Sequence, residues 1–342
     1  LCYHEKKKAR QRPGPSLELV SPHDTESASR HQNSDKDMWE IDFTTIKIEQ
    51  QIGKGGFGVI YSAKWRNQLC VVKQLDQSNE NSARDFLKEA SNVKHLRPHP
   101  NICLVLGICS NPHYPLCLVM EYVPNGSLWT MLVSRSLTLE TKTVIDFALD
   151  IASGMFHLHS EDIIHCDLAC RNLLVAPKNS SKYLLKITDF GLSRVTEREA
   201  YKASETSVFP IRWSAPEVLT QKLVSKPMDV WSFAVTLWEM IEVKMPYFHL
   251  TNADVAKAVC EDHLKLTRPT AVPIPDELFN LMESCWNDNP QLRPTFEQIC
   301  EDLAVIKRNY GADNLPVQTV ARQGNPYGNQ TTSNNNNQTD YN

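Results

Sequence analysis

The stretch "DVWSFAVTLWEMI", residues 229–241, is apolar almost all round at helical spacing. A helix of that kind has no face to give to water, so other elements must surround it. The chain supplies them. "TVIDFALDIASGMFHLHS", 143–160, brings Ile145, Leu149, Ala152 and Met155 to one side of a long helix. "DELFNLMESCW" and "TFEQICEDLAVI" read as further amphipathic helices.

The upstream half has a different character. "FTTIKIEQQIGKGGFGVIYSAKW", 43–65, "LCVVKQL" and "LCLVMEYV" are rich in β-branched and aromatic residues and read as strands. One helix interrupts them at 82–96, with apolar positions Ala83, Phe86, Leu87, Ala90 and Val93. A strand-rich half followed by a helix-rich half implies an α+β architecture of two lobes with a cleft between. The hydrophobic fraction of 41% suits a soluble globular protein. A formal net charge of -4 argues against a general nucleic-acid binder, whose surface would be basic. No apolar run approaches the ~18–20 residues that span a bilayer. Ten Cys lie scattered without a CxxC pair or zinc spacing, which reads as reduced, mostly buried thiols.

Residues 1–43 are expected to be a disordered or juxtamembrane-like linker, and 309–342 a polar, Asn-rich disordered tail. The opening "LCYHEKKKAR" sets a basic run behind a short apolar stub. Such runs flank membrane helices on the cytosolic side, so attachment through a segment upstream of Leu1 is one expectation and a solvated charge run the other. The expected location is cytoplasmic, as a free protein or as the cytosolic part of a receptor.

Of only 12 Gly, four fall in "GKGGFG": Gly53, Gly55, Gly56 and Gly58. Glycines there let a strand–turn–strand approach phosphates closely, although a tight hairpin also needs Gly for steric reasons. Lys73 closes an apolar strand, where an ammonium needs an anion, and Glu89 in the following helix is a candidate. His165, Asp167 and Asn172 follow the long helix on a loop, and Asp189 opens "DFG". Asp167 can accept a hydroxyl proton, while Asn172 and Asp189 offer hard oxygens for magnesium.

In this order the residues resemble the protein kinase family over about 46–308: GKGGFG, VVK, Glu89, HCDLACRN, DFG and APE at 215–217. The resemblance implies the bilobal kinase fold at 44–308, with an N-lobe at 44–123, a C-lobe at 124–308 and an ATP cleft between them. It also implies ATP and Mg2+ (or Mn2+) as cofactors. In the family, Gly53, Lys54, Gly55, Gly56, Phe57 and Gly58 would cover the phosphates, and Ile52 and Ile60 beside them would also bind the nucleotide. Lys73, braced by Glu89, would contact the phosphates. Val71 and Met120 would line the adenine pocket, with Glu121 and Val123 offering backbone groups. Asp167 would act as base beside Arg171, and Asn172 and Asp189 would hold the metal. Asp229 would anchor the catalytic loop, and Arg293 would pair with Glu217.

Ala169 and Arg171 around the loop, with "FPIRWSAPE" at 209–217, resemble the tyrosine-specific form. The expected partners are therefore proteins with Tyr acceptors. Serine/threonine or dual specificity, and a pseudokinase scaffold, are the alternatives. Two positions depart from the family pattern. Val71 stands where a small Ala usually lies against adenine. Cys166 replaces the Arg that often grips a phosphorylated activation segment through charge-assisted hydrogen bonds. Tyr201 is the candidate phosphosite in that segment, with Arg171, Arg194 and Arg212 as cations to compensate.

Overall fold

A computed structural model describes residues 39–313 apart from 56–57, 76–85, 88–89, 91–92, 179–181, 191–192, 196–199 and 205–206. The first half forms one antiparallel five-stranded sheet in the order β1-β2-β3-β5-β4. Its strands are β1 (Ile46–Gly55), β2 (Gly58–Trp65), β3 (Gln68–Leu75), β4 (Val105–Cys109) and β5 (Cys117–Glu121). Val72, Cys70 and Val119 pack on one side of this sheet with Ala63 and Cys117, while Leu75, Leu118 and Met120 pack on the other with Phe86 and Ala90. That division follows the two-residue alternation of strands. Among the described residues of the interrupting helix, Phe86, Ala90 and Val93 are buried but Leu87 is exposed, so Leu87 does not belong to the inward stripe.

The described fold reaches back to Trp39, before the expected boundary at 44. Ile108 donates its N–H to the Trp39 carbonyl (2.9 Å) and accepts from Ile41 N–H (2.7 Å). Glu40 takes the Ser110 N–H and hydroxyl on its two carboxylate oxygens at 2.7 and 2.8 Å. Phe43 stacks on Tyr114 with ring centroids 5.4 Å apart. Residues 39–43 are thus fastened along β4 rather than belonging to a loose lead-in.

The second half is helical: α1 (Leu128–Val133), α2 (Thr141–Ser160), α3 (Pro216–Gln221), α4 (Lys226–Glu242), α5 (Asn252–Glu261), α6 (Asp276–Cys285) and α7 (Phe296–Asp313). Within α4 every residue from 228 to 242 is buried, as its all-round apolar sequence requires. The last helix runs to Asp313, past the expected end at 308. Arg293 holds Glu217 in a bidentate pair, Nη1 to Oε1 at 2.7 Å and Nη2 to Oε2 at 2.9 Å, with both side chains almost sealed from solvent.

Short strands mark the seam between the halves. β6 (Ile163–Ile164) pairs with β9 (Arg194–Val195), β7 (Leu173–Lys178) with β8 (Lys182–Ile187), and β10 (Ala200–Lys202) with β11 (Leu223–Ser225). All nine described cysteines are free thiols, and seven of them are buried.

Candidate active site

The loop after β6 hangs from α4. Asp229, fully buried, accepts the His165 N–H on Oδ2 (2.8 Å) and the Cys166 N–H on Oδ1 (2.9 Å). Cys166 lies at φ +66°, in the left-handed region. A non-glycine residue there costs about 1–3 kcal/mol. Two hydrogen bonds to one carboxylate offset that cost. Oδ2 of Asp229 also receives His159 Nε2 from α2 at 2.9 Å. The Cys166 side chain is buried, with Sγ 3.6 Å from the Ile164 carbonyl, so it offers nothing to a phosphate outside.

Asp167 follows directly. The Asn172 Nδ2 donates to its carbonyl (2.7 Å) and to its Oδ2 (2.9 Å), and Arg171 pairs with its Oδ1. Burial raises the Asp167 carboxyl above its ordinary value, against the opposing influence of Arg171, His165 and the Asn172 hydrogen bond. The Arg171 guanidinium lies 4.7 Å from the centre of the Trp213 ring. Glu239 of α4 then ties that ring to the loop: its Oε2 accepts both Trp213 Nε1–H (3.0 Å) and Cys170 N–H (2.9 Å). Burial also raises the Glu239 carboxyl.

Across the cleft, the buried Lys73 of β3 donates from Nζ to Asp189 Oδ1 at 3.0 Å. Asp189 also has positive φ, +64°. The Thr188 N–H, one residue before it, bonds the Asn172 carbonyl at 2.9 Å. Asn172 and Asp189 are therefore held on two segments joined by one backbone bond. Asn172 uses its amide nitrogen on Asp167, which leaves its amide oxygen as a hard donor.

The remaining expected site residues are spread over the sheet. Gly53 pairs with Ile60, Val71 with Met120, and Lys73 with Leu118. Val71 is half-buried against the cluster holding Met120, and Met120 is itself buried. Ile52 and Lys54 are exposed, and Val123 is buried. The glycines divide in kind. A Cβ on Gly58 (φ +151°) would stand 2.0 Å from the Gln74 carbonyl oxygen, so the fold itself demands glycine there. A Cβ on Gly53 would meet nothing closer than 3.7 Å. Gly55 closes β1, and Gly56, Phe57 and Glu89 lie outside the described residues.

Several contacts escaped sequence reasoning. Glu121 uses its carboxylate on the Leu104 N–H (2.7 Å) and Lys186 Nζ (2.7 Å), and its own N–H bonds the Leu104 carbonyl (2.9 Å). Arg212 directs its guanidinium to the carbonyls of Pro246, Tyr247 and Leu250 and to Asn252 Oδ1, so it braces the loop after α4 rather than facing the activation segment. Glu239 left a trace in the sequence, a charged letter in an apolar helix, but not its two partners.

A family model described as protein tyrosine and serine/threonine kinase matches residues 46–303. The chain belongs to this family. Its sheet-built N-terminal half and helical C-terminal half form the bilobal kinase fold. Human cytoplasmic tyrosine-protein kinase BMX is 34% identical over 271 residues, covering 79% of this chain and 39% of BMX. Tyrosine-protein kinase SRK3 of Spongilla lacustris is 35% identical over 268 residues, 77% of each chain. Mitogen-activated protein kinase kinase kinase 10 of Xenopus laevis is 35% identical over 280 residues, covering 79% of this chain and 27% of that protein. The chain thus spans about two fifths of BMX.

Proposed function

We propose that this kinase domain moves the γ-phosphoryl group of ATP to tyrosine hydroxyls of proteins. The observation that carries the reading is the joined pair of segments: Asp167 held by Asn172 at 2.9 Å, and Asn172 tied through Thr188 N–H to the strand end bearing Asp189. Protein kinases use ATP with Mg2+, and the residues fit that pair. Mg2+ keeps waters and phosphate oxygens and asks only one or two oxygens of the protein. Asn172 and Asp189 would supply those, with Mn2+ accepted by the same hard donors. When bound, the metal nucleotide supplies the transferable phosphoryl group and neutralises its charge.

This chain's residues do the rest. Gly53, with no side chain and room above it, lets the β1–β2 hairpin lie close to phosphates, and Lys73 adds a cation. Ile52, Ile60, Val71 and Met120 enclose the base, while the Glu121 carbonyl and the Val123 backbone meet its edge. Asp167 takes the acceptor hydroxyl proton as the new oxygen–phosphorus bond forms and the bond to the ADP oxygen breaks. Its raised proton affinity suits that role, since a base works best with a pKa nearer the operating pH. Arg171, on its Trp213 shelf, orients Asp167 and the incoming ring.

The tyrosine preference draws on Ala169 and Arg171 and on relatives whose names specify tyrosine. The family description, which names tyrosine and serine/threonine kinases together, keeps serine/threonine acceptors as the second reading. The proposed location is cytoplasmic, as in the name of the BMX relative. Among the described residues no helix is long and apolar enough to cross a membrane.

Tyr201 is the proposed phosphosite. It is a β10 residue opposite Val224, packed against the C-lobe core with its hydroxyl sealed from solvent, so phosphorylation requires β10 to come away from β11. With Cys166 in place of the usual Arg, phosphate there gains little, and control by this modification is weak.

The test is phosphotransfer from MgATP by the purified chain to poly(Glu,Tyr) and to casein, followed by phosphoamino acid analysis. Phosphotyrosine is the expected product. Phosphate on Ser and Thr alone would overturn the acceptor, and ATP binding without transfer would leave a pseudokinase.

A further inference from the structure

A second cavity of about 240 Å3 lies in the C-lobe, away from the cleft. Phe156 of α2, Val230 of α4 and Phe296 of α7 give it apolar walls, and Lys226, Arg293 and Glu297 add charged groups to its lining. An apolar cavity of about 150 Å3 already holds benzene, so this one has room for a fused pair of rings. Phe156 is 41% exposed at the rim.

His159 lines the same cavity. Its ring stands edge-on to Phe296 at 4.9 Å. Its Nε2 contacts Asp229 Oδ2, an oxygen that already accepts the His165 N–H. A carboxylate oxygen accepts, so Nε2 carries the proton and donates. The other nitrogen, Nδ1, has no hydrogen-bond partner among the described residues and is not sealed from solvent. In the neutral ring Nδ1 is an acceptor. With the ring neutral, Nδ1 adds to these aromatic walls an acceptor for an O–H donor.

The far side of that imidazole is the hub of the catalytic loop. Asp229 holds the backbone of His165 and Cys166, immediately before Asp167. A donor on Nδ1 polarises the ring and strengthens the Nε2–H bond to Asp229, since linked hydrogen bonds reinforce one another. The cavity and the loop are therefore joined by two hydrogen bonds in series.

From these observations we infer that this C-lobe cavity binds a small phenol, an aromatic ring system bearing a hydroxyl donor, and that His159 transmits its occupancy through Asp229 to the catalytic loop. Binding does not depend on the kinase reading; the effect on turnover rests on it.

The probe is 2-naphthol, with 2-methoxynaphthalene as the same rings without the donor. Binding to the full chain is followed by calorimetry, with the nucleotide cleft saturated by a non-hydrolysable ATP analogue. Turnover on a tyrosine peptide is measured alongside. The expected result is saturable 2-naphthol binding that survives the ATP analogue, at least tenfold weaker binding of the methyl ether, and at least a twofold change in turnover. His159→Phe should abolish the preference for 2-naphthol. Because that variant also loses the Asp229 contact, Ser160→Trp, at an exposed rim position, serves as the fold-neutral control and should block both binding and the turnover change. Absent binding, displacement by the ATP analogue, or equal affinity for the methyl ether would overturn the site. Binding with unchanged turnover would overturn the coupling. A wild-type chain that transfers no phosphate without probe would instead overturn the kinase reading and leave the binding result standing.

Discussion

The two walls of the cleft rest on different supports. On the acceptor wall, Asp167 and Arg171 belong to a loop hung by backbone hydrogen bonds from two carboxylates of α4, a helix buried on every side. On the nucleotide wall, Ile52, Gly53 and Lys54 lie on a two-stranded hairpin that meets solvent. The difference teaches where chemistry and folding share residues. Disturbing the acceptor wall or its supports should cost stability as well as turnover. Much of the nucleotide wall should tolerate change in stability while losing function.

The largest expected effect comes from the one acceptor-wall change that leaves its scaffold alone. Asp167→Asn keeps a side chain of the same shape, yet turnover should fall on the order of 10²–10⁴-fold. ATP binding, read by fluorescence titration of a nucleotide analogue, should be largely intact. Unchanged turnover would remove Asp167 from its role as base.

Next in size is Arg293→Ala, which strands the buried Glu217 carboxylate. Breaking a buried pair on one side costs about 3–5 kcal/mol. A shift of that size in urea denaturation would show that this buried pair carries a large share of the helical body's stability. A loss below about 1 kcal/mol, the value of an exposed pair, would contradict the comparison.

The nucleotide wall supplies its own internal contrast. Gly58→Ala forces a side chain into the Gln74 carbonyl and should cost about 1–3 kcal/mol of stability. Gly53→Ala has room, so its melting temperature should hold while the KM for ATP rises roughly tenfold, or about 1.4 kcal/mol. Equal stability losses in the two variants would erase the distinction between a glycine required by the hairpin and one required by a ligand.

The pH dependence provides a finer test. Burial raises the folded Asp167 pKa, so kcat/KM should fall with decreasing pH at a higher pH than an ordinary carboxylate would give. Arg171 acts in the opposite direction, holding the carboxylate ionised. Arg171→Gln should therefore move the acid limb to still higher pH, and a limb that moves down would reverse the electrostatic assignment. Smallest of all, Tyr201→Phe should change turnover by less than roughly threefold, because no Arg stands at 166 to clamp a phosphate. A near-total loss in the same peptide assay would show that control by Tyr201 phosphorylation survives the Cys.

Much of this plan was legible from local pattern. The all-buried α4 and the strand-then-helix order follow from periodicity, and the spacing of Asp167 to Asn172 marks one short loop whatever surrounds it. The pairings that build the site were not legible, because they join residues far apart in sequence. Asp229 reaches back 63 residues to Cys166, and Glu239 reaches Cys170 across 69. Leu87 fits a helical stripe by number alone, yet tertiary packing leaves it outside. Arg212 looks like a free cation in "FPIRW" and proves to be bound by carbonyls 34 to 38 residues on.

β4 is one of the two edge strands of the sheet, and an edge strand displays unpaired N–H and C=O groups that invite another chain to add on. Here residues 39–41 occupy both backbone groups of Ile108, like a selvedge sewn along the cloth. Cutting the chain just before Thr44 would leave the catalytic residues in place and open that border as a docking rail for another strand.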